Sequence, residues 1–479
     1  MLNKALHGLA EILSGTFAHR RVKTRFDTHL SDILSEIDLD VQRQECLDRV
    51  LCRLDACKGQ LRRYFCDHLG SEIAATAVTV KVLNLCLAKY HFYARDSILL
   101  SKPYGLIVDP INSCNLACPG CVHSGESKRL HRFDWSAGVL SEEKFDALLQ
   151  RYGPYAIQAT LCNYGEPLLN PSTPKFIRKA KAYLMRTTIS TNMTAKRFDP
   201  VAYVNSGLDF MTLSIDGATQ AVYEQFRKNG RLEIALENVR RLVAARGRAG
   251  KRSPVLNWQF LAFEHNAHEI DLALELARQL GVDQFTVATP FDVSWDDAKF
   301  RPACVPMVTH QFHADSDGRM IENWNPFPEE INLQEIERAF ATPWLALRSP
   351  QPGAQLTRAH GQHTCHYLYK NMVMDANGRI IPCCAAPRPD ADLTFSIFED
   401  GAPDSFNTEK YRLARLSFAN KGASQHEQVK TNLAPHCLNC DWYRDQETAH
   451  IDHSQLDHYL RAVGDQVFDE ESRQILALW

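Results

Sequence analysis

Three cysteines, Cys114, Cys118 and Cys121, stand at C-x3-C-x2-C spacing in the stretch DPINSCNLACPGCVHSG. Thiolates spaced in this way can bind three irons of a [4Fe–4S] cluster and leave the fourth without a protein ligand, open to chemistry. A structural zinc site calls for four ligands, and its usual CxxC pairs do not contain a three-residue gap.

The elements that must position this loop are legible from residue 104 onward. Short β-rich runs, GLIVD, IQATLC, TTIST, FMTLSID, VLNWQFLAF and QFTVAT, alternate with amphipathic segments near 141–152, 174–185, 219–246 and 267–280. That alternation predicts an α/β fold of parallel strands with crossover helices. In parallel barrels the reactive ends are the C-terminal ends of the strands. The cysteine loop follows the first run, Glu166 the second, Asn192 the third, and Ser214 and Asp216 the fourth, so these side chains converge on one rim.

Composition fits a large protein with a sizeable core. The 479 residues allow several domains, and a formal charge of −3 gives no sign of a polyanionic partner such as nucleic acid. The first residues, MLNKALHGLAEILSG, break their apolar run with His7 and Glu11 and lack a small-residue cleavage site, which argues against a secretory signal. The most apolar later stretch, 74–89, is interrupted by Lys81 and Asn84, so no membrane span is expected. Fifteen cysteines in a chain that needs no staples, spaced as cluster ligands, fit a reducing cytoplasm better than a disulfide framework.

The motifs and their order resemble the radical S-adenosylmethionine (SAM) superfamily. Its C-x3-C-x2-C follows the first strand of a partial (β/α)6 TIM-like barrel; LCNYGEPLLNP resembles its GGEP segment, ISTN at 189–192 and LSIDG at 213–217 the ends of strands three and four, and FEHNAHEI at 263–270 the end of strand five. The resemblance implies SAM bound at the open iron and cleaved reductively to a 5′-deoxyadenosyl radical that abstracts a substrate hydrogen. It assigns cofactor contacts to Gly165, Glu166, Asn192, Ser214, Asp216 and Arg227, with Glu166 balancing the SAM ammonium and the guanidinium suited to a carboxylate. Plainer roles stay open: a turn or helix start at Asp216, a strand-end cap at Asn192, a surface position for Arg227. Two residues depart from the family pattern, Gly120 where an aromatic usually stands and Tyr164 where the first glycine of GGEP stands.

A second cysteine set comprises Cys365, Cys383 and Cys384 in CHYLYKNMVMDANGRIIPCC, then Cys437 and Cys440 in PHCLNCDWY. It resembles the opening of a SPASM domain in a short form with one auxiliary [4Fe–4S] cluster, held by Cys365, Cys383, Cys437 and Cys440. Four thiolates also suit Zn²⁺. DANG around Gly378 reads as a hairpin that brings Cys365 and Cys383 toward a common point. Cys304 and Cys384, outside both ligand sets, are candidate thiol hydrogen donors to a substrate radical, and packing is the plainer role for each.

The organisation expected is a helical N-terminal region at 1–100, the barrel at 101–290, a connecting or pocket segment at 291–362, the auxiliary-cluster domain at 363–445 and a helical tail at 446–479. Apolar residues at helical spacing between Phe26 and Phe65 support the first of these, with Cys46, Cys52, Cys57, Cys66 and Cys86 as packed thiols. The implied activity is oxidation or other modification of a peptide or small biosynthetic substrate, with an electron donor such as flavodoxin or ferredoxin. The alternatives are a redox-neutral epimerase or rearrangement enzyme, and a non-catalytic iron–sulfur electron carrier or scaffold, which would have no use for the aligned SAM-contact motifs.

Overall fold

The computed structural model describes residues 101–124, 137–183, 185–290, 300–312, 365–384, 396–399 and 405–408, with isolated positions between 81 and 99 and between 411 and 415. The N-terminal region up to residue 80, Cys437, Cys440 and the tail lie outside the described residues. Two compact units are distinguished. One comprises Gly105–Pro326 and Asn371–Thr408, the other Met1–Tyr104, Phe327–Lys370 and Glu409–Trp479.

The larger unit is built on β1 (Gly105–Val108), β2 (Gln158–Thr160), β3 (Arg186–Thr191), β4 (Phe210–Ser214), β5 (Val255–Leu261) and β6 (Gln284–Ala288). These strands lie side by side in sequence order, each parallel to the next. Helices α1 (Glu142–Tyr152), α2 (Thr173–Ala182), α3 (Pro200–Asn205), α4 (Gln220–Phe226), α5 (Leu232–Arg248) and α6 (Ile270–Leu280) occupy the crossovers. The α/β fold with a parallel-dominated sheet is therefore present. Alternation along β3 buries Thr187, Ile189 and Thr191 and leaves Arg186, Thr188 and Ser190 half-buried, the period of two of a pleated strand. On the buried face Ala159, Met211, Leu213, Trp258, Phe260 and Phe285 form the core. The opposite face is polar, with hydroxyls paired between strands: Thr160 with Thr188 at 3.0 Å and Ser190 with Ser214 at 3.0 Å.

Helix α3 was not among the amphipathic segments expected from the sequence, being too short for a period. Its start is nonetheless encoded: Asp199 accepts from the Val201 and Ala202 amides at 3.0 and 3.1 Å, with Pro200 in the first turn. The sheet also extends beyond the six strands. β7 (Val308–Gln311), within the segment expected to connect domains or line a pocket, pairs antiparallel with β6. At the other edge β8 (Asn371–Met374) runs parallel to β1 and turns into β9 (Ile380–Ile381), antiparallel to it. Gly378, at φ 86°, makes the expected hairpin turn, a backbone conformation that costs glycine little.

In the smaller unit the short helix α7 (Tyr367–Lys370) is held through the Leu368 carbonyl, which accepts from Arg415 Nε and Nη2 at 3.1 and 3.0 Å. Positions 81, 84, 88, 91 and 92 are helical, as expected there.

A buried ion pair locks α5 to the entries of β5 and β6. Arg246 binds both oxygens of Asp283, donates to the Pro254 carbonyl at 2.8 Å, and Asp283 in turn accepts from the Leu256 amide at 2.7 Å. Asp283→Ala would leave a guanidinium and an amide buried without their carboxylate. A loss of about 3–5 kcal/mol is expected, read as a lower urea midpoint.

Candidate active site at the C-terminal strand ends

The loop after β1 carries Cys114, Cys118 and Cys121. Between the last two, the Cys121 amide returns to the Cys118 carbonyl at 3.1 Å, and Gly120 sits at φ 74°. That positive φ explains the missing aromatic: a side chain at 120 would be strained in this turn. Ala117 donates to the Lys228 carbonyl at 3.1 Å, tying the loop to the segment after α4.

Donors point at two of the sulfurs. Cys114 Sγ receives the Leu116 amide at 3.4 Å and Asn192 Nδ2 at 3.6 Å, and Cys118 Sγ receives Arg227 Nη1 at 3.9 Å. Burial pushes the Cys114 thiol up to about 12 and Cys118 to about 11, and it raises Cys121 as well. Thiols of this kind become good ligands by exchanging their protons for metal. Leu116, Cys118, Phe226, Phe263 and Phe300 form one apolar cluster, with Cys114 and Cys121 packed against it.

Glu166 caps a short 3-10 turn, Pro167–Leu169, at the end of β2 and is buried. Its carboxylate accepts from the Leu168 amide at 3.0 Å, Thr191 Oγ1 at 2.6 Å and the Asn192 amide at 2.9 Å. Burial raises its pKa against these donors. Asn192 is a cap that also reaches the cysteine loop. Its Oδ1 accepts from the Thr194 amide and hydroxyl at 2.8 and 2.6 Å, while its Nδ2 reaches Cys114 and, at 3.1 Å, Asn115 Oδ1.

Arg227 lies inside the site, 13% exposed at the side chain, and its Nε meets Asp216 Oδ2 at 2.5 Å. Burial works against its charge, and the Asp216 carboxylate beside it more than offsets that penalty. The other Asp216 oxygen accepts from the Leu261 amide at 2.8 Å, so this carboxylate is engaged with protein on both sides. Ser214 pairs with Ser190 on the polar face. Gly165 is demanded by packing: a Cβ there would overlap the Ile111 carbonyl.

Sequence reasoning missed Asp109, whose buried carboxylate accepts from the amides of Asn163, Tyr164 and Gly165 at 2.7–3.1 Å. Burial outweighs those bonds and lifts its pKa to about 7. A lone acid closing an apolar strand run was the available signal. The Phe226, Phe263 and Phe300 rings, 4.5–6.1 Å apart, were also missed, with His265 edge-on to Phe300 at 5.3 Å. Cys304 is exposed, ahead of β7; Cys365, Cys383 and Cys384 are partly buried, with Cys365 in the smaller unit and the other two in the larger.

Among the described residues no three His, Cys, Asp or Glu side chains converge as the ligands of a single metal ion would. Three thiols, two with N–H donors on sulfur, and an apolar flank are a donor set of the kind that suits an iron–sulfur cluster. No helix among the described residues is long and apolar enough to cross a membrane.

Residues 108–256 match the model of the Radical SAM superfamily, a family that implies a [4Fe–4S] cluster and SAM. The chain is 30% identical over 203 residues to a GTP 3′,8-cyclase of Chlorobaculum tepidum, covering 41% of this chain and 58% of the relative. It is 28% identical over 176 residues to a pre-heme d1 synthase of Dinoroseobacter shibae, covering 36% and 40%. The chain thus spans only about half the length of these curated relatives. Among solved structures, Streptococcus suis SuiB bound to precursor peptide SuiA aligns over 79% of this chain and 77% of its own, at 15% identity and a TM-score of 0.44.

Proposed function

We propose that the chain is a radical SAM enzyme in which Cys114, Cys118 and Cys121 hold the cluster that cleaves SAM, and which modifies a C–H bond of a peptide or small biosynthetic substrate. When bound, cluster and SAM together supply a 5′-deoxyadenosyl radical. The observation that carries the reading is the bridge made by Asn192, whose amide binds Glu166 while its side chain reaches Cys114. One residue thereby sets the separation between a cluster ligand and the carboxylate suited to the SAM ammonium.

In this reading Glu166 holds the ammonium and Arg227, kept charged by Asp216, faces the SAM carboxylate beside Cys118. Ser214 and Asn192 offer hydrogen bonds at the strand ends. The buried Phe226, Phe263 and Phe300 cluster backs the cysteine loop from the apolar side. The second set, Cys365, Cys383, Cys437 and Cys440, holds one auxiliary [4Fe–4S] cluster, and flavodoxin or ferredoxin supplies the electron.

Glu166→Gln and Ser214→Ala test this directly. Each is expected to weaken SAM binding, Glu166→Gln by about tenfold or more, with iron content unchanged. Unchanged SAM affinity with lost iron, measured by equilibrium binding and metal analysis, would contradict the assignment.

A further inference from the structure

Tyr164 stands where the resembled pattern carries glycine, yet its backbone already does the local work. Its amide donates to both oxygens of Asp109 at 3.1 Å, and its carbonyl faces His123 Nε2 at 3.1 Å. A glycine would make the same bonds. The side chain reaches elsewhere: the phenol donates to the Cys384 carbonyl at 2.7 Å, across 220 residues of sequence.

That contact lies at the end of a hairpin fastened to the first cysteine loop at its other end. The Asp109 amide donates to the Met374 carbonyl at 2.9 Å, Asn112 Oδ1 accepts from the Ala376 amide at 2.7 Å, and Asn112 Nδ2 donates to Asp375 Oδ2 at 3.3 Å. Beyond Ile381 the β ladder ends, and Pro382–Cys384 leave the sheet. The Tyr164 hydroxyl meets the chain there.

We propose that the Tyr164 phenol is a positioning strut that ties the Cys383–Cys384 segment to the loop carrying Gly165 and Glu166, and so sets where Cys383 stands relative to that loop. This rests on the reading of Cys383 as a cluster ligand. It also accounts for a tyrosine at a position where glycine would satisfy the cofactor loop. The strut acts through Cys384 and touches no reacting atom.

Tyr164→Phe and Tyr164→Gly in the full chain remove the hydroxyl in two ways, the second restoring the residue of the family pattern. In iron-free protein, iodoacetamide labelling of Cys384 is followed by peptide mass spectrometry, with exposed Cys304 as the reference and the urea midpoint as the check of folding. Cys384 is expected to label about tenfold faster in both variants, the effect of losing one hydrogen bond. If the midpoint falls in one variant, the other supplies the reading. In a Cys114/Cys118/Cys121→Ala background reconstituted with the second cluster alone, Tyr164→Phe is expected to alter that cluster's electron paramagnetic resonance spectrum. Labelling within twofold of the unsubstituted chain in both variants would overturn the strut, and faster labelling with an unchanged spectrum would overturn its hold on the second site. Failure of the unsubstituted chain to cleave SAM would instead sink the functional reading while leaving the labelling result intact.

Discussion

Gly165→Ala is expected to destabilise the larger unit by about 3 kcal/mol or more, as a strong case of overpacking against backbone. The added Cβ would overlap the Ile111 carbonyl oxygen and stand 2.8 Å from its carbon. The two loops cannot move apart to admit it. Asp109 holds the Gly165 amide at 3.0 Å, and the Glu166 amide donates to the Ser113 carbonyl at 2.9 Å. Any relaxation must therefore also shift Glu166, so SAM affinity is expected to fall along with the urea midpoint. Gly247→Ala is the matched control, because a Cβ there meets nothing within 4 Å and the residue lies in α5. Replacing a helical glycine by alanine should stabilise by about 0.5–1 kcal/mol. Equal midpoints for Gly165→Ala and the unsubstituted chain would contradict the packing described between the first two loops.

Replacing Cys114, Cys118 and Cys121 together by alanine is expected to remove about four of about eight irons and to leave the remainder in place, four being the content of one cubane. The ligands of the two sets are separate in sequence, and none of the three removed thiols belongs to the second. The fold should survive, since Cys118 contributes little apolar volume to its cluster with Phe226 and Phe263. Iron and sulfide analysis of anaerobically prepared protein, with zinc measured alongside, checks both sets. Four irons plus one zinc in the unsubstituted chain would move the second set to a zinc site.

The parts of this arrangement that were legible in the sequence are those fixed by short-range pattern. Strands β1 to β6 show as apolar runs because each is buried on one face and alternates or runs continuously, and Glu166, Asn192 and Asp216 could be placed at strand ends by counting. Their partners could not. Whether Arg227 was surface or site depended on Asp216, eleven residues away across a turn and the whole of α4. The pairing of β8 with β1 joins segments about 260 residues apart, and the pattern of a short buried strand carries no record of its neighbour. Asp109 was passed over because its role lies in three amides of another loop. The Tyr164 to Cys384 bond was equally invisible, since a tyrosine reads the same whether its hydroxyl meets water or a distant carbonyl.

Cleavage of SAM by the reconstituted full chain tests the central claim most directly. Protein reconstituted anaerobically with iron and sulfide, reduced with dithionite and given SAM, is expected to form 5′-deoxyadenosine, and the Cys114/Cys118/Cys121→Ala chain is expected to form none. No 5′-deoxyadenosine from unsubstituted protein that holds its full iron, or equal formation by the triple variant, would contradict the assignment of these three cysteines to a SAM-cleaving cluster.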